Sequence, residues 1–575
     1  MTARFAPAAV VKTPRPGGGF VLRSPAPEPI VARCLGDLLV RWADAAPERV
    51  FLAERAGDRW REVTYRETFD AARSIGQALL DRGLSPIRPL AILSGNSIDH
   101  ALLMLGAMHV GVPVAPLSPA YSLLSQDHDK LRALTAVLAP GAVWTDAPQP
   151  FARALDAIAI ARLPAMDELR RATPTGDVDR AFAAITGDTI AKILFTSGST
   201  GTPKGVVNTH RMLCANQASI AASWPFLAER PPRIVDWLPW SHTFGANHNF
   251  NLILAHGGTL HIDGGKPAPG AFDTTVRNLR ELPSTLYFNV PRGFDMLVAQ
   301  LELDAALRAT FFRDLDVMFY AAAALSPATW ERLAAVARAE RSRVAMVSAW
   351  GSTETSPLVT QVHFAIDRAG VIGLPVAGME LAFAPVAEKL EMRVKGASVT
   401  PGYWQPGGAI EPAPCDELGF YPMGDAGRLA DDAAPERGVV FDGRIAENFK
   451  LASGTWVHVG ELRIAVVAAC SPVVGDVVIA GHDRDELGAL VFAAPGVAID
   501  DELRRRIAQG LAQCNAGASS TSVVRALIMA EPPSIDAGEI TDKGYLNQRA
   551  ILERRSERVA ELYRDGDAVI RPASR

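Results

Sequence analysis

Eleven consecutive residues, Phe195-Thr196-Ser197-Gly198-Ser199-Thr200-Gly201-Thr202-Pro203-Lys204-Gly205, gather hydroxyls, glycines and one lysine between two apolar runs. Glycine lets backbone N–H groups turn toward an anion with no Cβ in the way, Ser and Thr add donors, and Lys204 adds positive charge. The stretch is therefore suited to wrapping phosphate. A Walker A loop needs glycine before its lysine and Ser or Thr after it; Pro203 and Gly205 stand there instead, which disfavours the P-loop fold. Taken alone, such a cluster is also what an ordinary surface loop looks like.

Further clusters carry groups of matching chemistry. Ser348-Ala349-Trp350-Gly351-Ser352-Thr353-Glu354-Thr355 follows the apolar run Val344 to Val347, and α/β proteins place ligands at strand ends. An aromatic ring can lie on a purine, a hydroxyl can donate to a phosphate oxygen, and a carboxylate can hold Mg²⁺ together with substrate phosphates. In Gly419-Phe420-Tyr421-Pro422-Met423-Gly424-Asp425-Ala426-Gly427, an aspartate flanked by glycines can accept from a ribose diol, or cap a β-turn. Trp237 to Phe250 interleaves aromatics, amides and the histidines His242 and His248, a composition suited to a flat acyl group with polar substituents.

These groups need elements to position them. Pro89 to Leu93, a helical Ile98 to Val110 and Val112 to Pro116 give a β-α-β rhythm, which recurs through Leu260–Ile262, Thr285–Phe288, Val317–Tyr320 and Val344–Val347. The expected fold is α/β: a large N-terminal domain of helix-covered, mostly parallel sheets. A β-rich lobe follows from about Gly373, then a small, mobile α+β C-terminal domain. The boundary is placed at Gly443/Arg444, giving domains of 1–443 and 444–575. The Pro- and Gly-rich residues 1–30 are expected to be an extended lead-in, with order starting near Arg33.

At 575 residues the chain exceeds what one core supports. Lys and Arg number 58 against 63 Asp and Glu, a net charge of −5, which gives no footprint for nucleic acid or an acidic membrane. The five cysteines are scattered without C-x-x-C spacing, pointing away from disulfides or zinc and toward a reduced cytoplasmic setting. No run of about 18 apolar residues suggests a spanning helix. The oligomeric state is left open, a homodimer among the alternatives.

Together these strings resemble the acyl-adenylate-forming superfamily: acyl-CoA synthetases, peptide-synthetase adenylation domains and luciferases. The resemblance implies that Thr196, Ser197, Gly198, Ser199, Thr200, Gly201 and Lys204 bind phosphate, and that Ala322 and Ala323 lie beside adenine where the family has glycine. It puts Trp350, in the usual place of tyrosine, on adenine with Gly351 and Ser352 adjoining, Thr353 on the α-phosphate, Glu354 on magnesium and Asp425 on ribose. Asp442 to Lys450 matches the hinge, with Arg444 reaching ribose or phosphate and Ala446 replacing the usual Asp or Lys; Lys450 and Gly454 adjoin the thiol tunnel. His242 and a C-terminal lysine complete the catalytic set. Strict spacing in Pro533-Ser534-Ile535-Asp536-Ala537-Gly538-Glu539-Ile540-Thr541-Asp542-Lys543 puts Glu539 in the lysine's place, but a carboxylate there repels both reactants, so Lys543 is assigned.

The runs Trp237 to Phe250, Ala255 to Pro267 and Ser348 to Pro357 are similar to one branch, the bacterial feruloyl-CoA synthetases, from about Arg33 to Ile551. The implied activity is formation of an acyl-CoA thioester through acyl-AMP, using ATP, Mg²⁺ and coenzyme A on ferulic or a related hydroxycinnamic acid. Alternatives are another aryl or medium-chain acid, a carrier-protein acceptor, or a non-catalytic nucleotide sensor.

Overall fold

Short, wholly apolar strands must be covered on both faces, and those after Pro89 are. Leu90–Ile92, Val114–Pro116 and Ala142–Trp144 pair in parallel and are buried throughout, with helices Ile98–His109 and Asp129–Leu138 in the connections. The first of these helices begins where the Ser97 hydroxyl accepts from His100 N–H at 3.0 Å. Strand Ile190–Thr196 joins in parallel and reverses into Lys204–Thr209; Gly402–Trp404 and Ile410–Pro412 complete a seven-stranded sheet.

The computed structural model describes residues 5–196, 203–268, 270–340, 343–517, 521–541 and 546–573. Arg233–Asp236, Thr259–Ile262 and Val50–Ala56 form the parallel part of a second, four-stranded sheet. In the third, eleven-stranded sheet, Leu286–Asn289, Val317–Tyr320 and Ala345–Gly351 are parallel, and the strands after them continue antiparallel. Helix Pro291–Leu303 buries Phe294, Leu297, Val298 and Leu301, the i, i+3, i+4, i+7 stripe of an amphipathic helix. The protein is mixed α/β, with a large N-terminal domain and a small C-terminal one.

Residues 11–23 are not an extended lead-in. Val11–Pro14 and Phe20–Arg23 form a hairpin whose second strand pairs with Met379–Val386 at the edge of the large sheet. Gly17, Gly18 and Gly19 all have positive φ, and a Cβ on Gly19 would lie 1.8 Å from Phe383 O, so the glycine run is the turn chemistry of this hairpin. The Phe20 ring stacks on Phe383 with centroids 4.5 Å apart.

The chain forms two compact units, the second comprising 125–127, 424–427 and 441–575. The main break falls inside strand Val439–Arg444. In the second unit, Val474–Ala480 pairs antiparallel with Leu487–Ala493, which pairs in parallel with Val523–Ile528. Alternation sorts the side chains: Val477 and Ile479 join the core under helices Val459–Ala469 and Asp501–Cys514, while Val478 and Ala480 face Ile551 and Leu562. All five cysteines are free. Among the described residues no helix is long and apolar enough to cross a membrane.

Replacing Phe20 with Ala removes half-buried aromatic area and the stacked pair, a loss of about 1–2 kcal/mol. The expected result is a thermal midpoint lower by a few degrees; an unchanged midpoint would refute the hairpin as part of the sheet.

Candidate functional site

The phosphate-loop candidate is closed at its base by strand pairing. Thr196 and Lys204 are register partners on two antiparallel strands. Ser197, Gly198, Ser199, Thr200 and Gly201 lie outside the described residues, as does Lys543. The Lys204 ammonium sits 4.9 Å from the centre of the Tyr403 ring, whose hydroxyl is 2.8 Å from that of Tyr421. Burial and then the charge of Glu354 push the Tyr421 hydroxyl far above its usual pKa, so it stays protonated.

A residue that sequence reasoning did not single out ties this loop to the second cluster. Thr400 donates its hydroxyl to Val207 O at 2.7 Å and its backbone N–H to Glu354 O at 2.8 Å. Asn216 adds a second tie, donating to Thr355 O at 3.3 Å and Leu358 O at 2.9 Å. The turn itself is internally capped: Glu354 N–H donates to Ser352 Oγ, and Ser352 N–H to Thr355 Oγ1. Gly351 is required here, because a Cβ would lie 1.7 Å from Pro357 O. Thr353 is buried, and among the described residues the half-buried Glu354 carboxylate has no hydrogen-bond or ion-pair partner. No group of three or more potential metal ligands occurs among the described residues. One free carboxylate fits a magnesium ion that brings its remaining ligands with substrate phosphates.

On the expected adenine side, strand Val317–Tyr320 ends in Ala321 to Ala324, of which Ala322, Ala323 and Ala324 are exposed. Ala322 has φ 73°, the region that favours glycine and costs an L-residue about 1 kcal/mol. The backbone keeps the glycine-type conformation despite the added methyl. Trp350 is 8% exposed and stands where the register with Leu358–Gln361 shifts, an irregularity of the kind that re-aims a side chain.

The aromatic run divides in two. Trp240 belongs to the core, edge-on to His100 and Phe250 at 5.2 and 5.0 Å. Residues Phe244–Asn249 form a π-helical turn, a geometry that frequents functional sites. A Cβ on Gly245 would lie 2.3 Å from Leu238 O, which explains the glycine. The turn brings Phe244 and His248 together with Phe288 and Phe319. His242 precedes it, its carbonyl accepting from Ala246 N–H at 2.9 Å.

A buried polar network holds the back of this turn. Lys192, fully buried on the strand leading to the phosphate loop, donates to Ala246 O at 2.9 Å and Asn247 Oδ1 at 3.3 Å. Asn247 donates to Asn208 Oδ1 at 2.9 Å, and Gln217 donates to Asn247 O at 2.8 Å. Burial pushes the Lys192 ammonium down to about 7. No sequence signal short of a lysine inside an apolar strand could have flagged it.

In the smaller unit, Arg444 Nε lies 3.6 Å from Asp425 Oδ1, joining two of the expected nucleotide contacts. Lys450 pairs with Trp456 across a short hairpin, its ammonium 4.9 Å from the indole centre, and Gly454 takes φ +82° in the turn. Glu539 has a structural occupation. Its side chain is 2% exposed, accepts from Arg555 at 2.7 Å and takes the Ser534 N–H at 2.9 Å. Burial alone would raise its pKa, but the Arg555 hydrogen bond, the Ser534 amide and the charges of Arg555 and Arg554 outweigh that and hold it below the usual carboxylate range. A cavity of about 670 Å³ beside this pair is lined by Arg504, Glu539, Arg555 and Arg558. Its guanidinium groups are engaged by Glu539, Glu561 and the carbonyls of Asp567 and Ala568.

A family model described as AMP-binding enzyme matches residues 39–404, and a second, AMP-binding enzyme C-terminal domain, matches residues 451–567. The chain belongs to the AMP-binding enzyme family. It is 27% identical over 502 residues to CymA of Salinispora arenicola, a probable nonribosomal peptide synthetase, a match taking in 83% of this chain but 6% of that protein. It is 23% identical over 596 residues to the long-chain-fatty-acid CoA ligase FadD15 of Mycobacterium bovis, covering 90% of this chain and 95% of that one. Among solved structures, the anthranilate CoA ligase AuaEII in complex with anthranoyl-AMP superposes with a TM-score of 0.71 at 18% identity, over 93% of this chain and 99% of that one.

Two stability outcomes follow from the buried charges. Glu539→Gln leaves Arg555 without its partner and should cost about 3 kcal/mol at neutral pH. Because the folded pKa of Glu539 is depressed, its contribution is full above the unfolded value and lost as pH falls through the folded one. The gap between wild type and variant should therefore narrow in acid; a gap constant from pH 7 to pH 3 would contradict the ion pair. For Lys192 the unfolded amine keeps its proton to about 10.5 and the folded one loses it near 7, so the unfolded state binds more protons in between. Wild type should gain thermal stability relative to Lys192→Met as pH rises through that window, and a pH-independent difference would disprove the shift.

Proposed function

We propose that the protein is an ATP-dependent acid–thiol ligase that makes acyl-AMP and passes the acyl group to coenzyme A, acting on ferulic or a related hydroxycinnamic acid. The observation that carries the proposal is the pair of Thr400 hydrogen bonds, which hold the strand after the phosphate loop against the turn bearing Thr353 and Glu354. The tie between Lys204's strand and the free Glu354 carboxylate supports the positioning and electrostatics that phosphoryl chemistry needs.

In the first half-reaction a carboxylate oxygen attacks the α-phosphorus of ATP and pyrophosphate leaves. Thr353 donates to the α-phosphate, and Glu354 would hold a magnesium ion, which would supply further charge neutralisation. Lys204 and Lys543 offset the charge that develops on the phosphates. In the second half-reaction residues 444–575 turn about the Asp442–Lys450 segment, withdrawing Lys543 and admitting the thiol past Lys450 and Gly454; His242 adjoins the acyl carbonyl. A thiol attacks the acyl carbon and AMP departs.

The ring cluster of Phe244, His248, Phe288 and Phe319 supports a flat, aromatic acyl group. A second reading keeps the first half-reaction and passes the acyl group to a carrier-protein thiol, and the likeness to a peptide synthetase favours it.

The test is pyrophosphate exchange with a panel of ferulic, coumaric, caffeic, benzoic and octanoic acids, followed by AMP release with free coenzyme A. Exchange with a hydroxycinnamic acid, and thioester formation on free coenzyme A, are the expected results; exchange with none of the acids would overturn the enzyme reading. Lys543→Ala should lower adenylation by at least about 100-fold while thioester formation from supplied acyl-AMP persists. Equal loss of both steps would rule out the moving-lysine scheme.

A further inference from the structure

One polar atom of the π-helical turn is left idle by everything around it. His248 is 1% exposed, and its Nδ1 lies 2.9 Å from Asn249 Oδ1. Asn249 in turn donates its amide N–H to Asp236 Oδ2 at 3.0 Å, and the same buried carboxyl accepts from Leu238 N–H at 3.2 Å. A carboxyl group that collects donors fixes the amide with nitrogen toward it and oxygen toward the imidazole. That oxygen can only accept, so the histidine proton resides on Nδ1 and Nε2 carries a bare lone pair. Burial lowers the His248 pKa to about 4, so the ring is neutral at physiological pH.

Among the described residues Nε2 has no hydrogen-bond partner. Its neighbours are the rings of Phe244, Phe288 and Phe319, with centroids 5.7, 5.3 and 5.0 Å away. None of them can donate. A buried acceptor left unpaired is destabilising, a penalty that a ligand hydroxyl would remove. Phe288 and Phe319 are register partners on adjacent parallel strands, and the second strand runs directly into Ala321 to Ala324, the expected adenine loop. The imidazole thus packs against rings from two strands, one of which leads into the expected adenine loop.

We infer that His248 Nε2 accepts a hydrogen bond from a phenolic hydroxyl on the ring of the acid substrate, with Asn249 and Asp236 as positioning residues that hold the imidazole in the accepting tautomer. The inference rests on the proposed aromatic acyl site and deepens it: the site selects for a ring that carries a donor. A methoxy group or a bare C–H in the same place would leave Nε2 unpaired, and a site built around a hydrogen bond rejects analogues that lack it.

The experiment compares kcat/KM for ortho-, meta- and para-coumaric acids, their methoxy analogues, cinnamic acid and octanoic acid. In wild type, one hydroxy isomer should exceed its methoxy analogue and cinnamic acid by at least about tenfold, mainly through KM. In His248→Phe that ratio should collapse toward one, and in His248→Gln, whose amide oxygen can accept, it should be partly restored. Asn249→Leu should reduce the ratio without removing the ring. Ratios near one in wild type, or a wild-type ratio retained by His248→Phe, would overturn the assignment while leaving the aromatic ligase reading intact. Should the His248 variants fail to fold, the wild-type ratios decide alone. Use of octanoic acid with no ring-bearing acid would instead overturn the aromatic reading, and this assignment with it.

Discussion

Bringing a carboxylate to a polyphosphate sets like charge against like charge, and no local motif can offset that alone. The donors and cations must converge from separate parts of the chain and stay there without reorganising. In the large unit Thr400 makes two hydrogen bonds, one to the seven-stranded sheet at Val207 and one to Glu354 just after strand Ala345–Gly351. Asn216 reinforces the joint from helix His210–Ser223. The catalytic proposal depends on this joint, because it relates Lys204 to Glu354.

Strand Ile190–Thr196 also braces the π-helical turn. Lys192 spends its ammonium on a main-chain carbonyl and an amide oxygen of the π-helical turn, at the expense of burying a charge. An apolar residue in its place would leave the Ala246 carbonyl without that donor. The lysine keeps the widened turn in place, and the widened turn gives Phe244 and His248 their common side. Strand Ile190–Thr196 and the π-helical turn are thus tied to each other, so a substitution at Lys192 acts on both.

The smaller unit shows how a departure from a motif can be structural. Glu539 occupies the spacing of a catalytic lysine, yet its carboxylate is walled in with Arg555 and the Ser534 amide. The pair fixes the bend of 534–539 against helix Gln548–Arg554 and the Arg555 that follows it. A buried, paired carboxylate is unavailable for substrate chemistry, so Glu539 serves the fold of this unit.

Much was legible in the chain itself because it is written locally. Hydrophobic period located the parallel strands from Leu90 to Val347, and the hydroxyl-glycine-lysine string and the Trp350 to Thr355 string carried the family. The N-terminal hairpin was not, because its glycines signal looseness until Phe20 finds Phe383 some 360 residues away. Trp240 and His248 lie in one aromatic run, and nothing in their order says that the first is core and the second holds an idle acceptor. Burial, tautomer and the partners of Thr400, Lys192 and Glu539 depend on contacts between distant segments. Those contacts exist only once the sheets are assembled, so tertiary structure alone decided them.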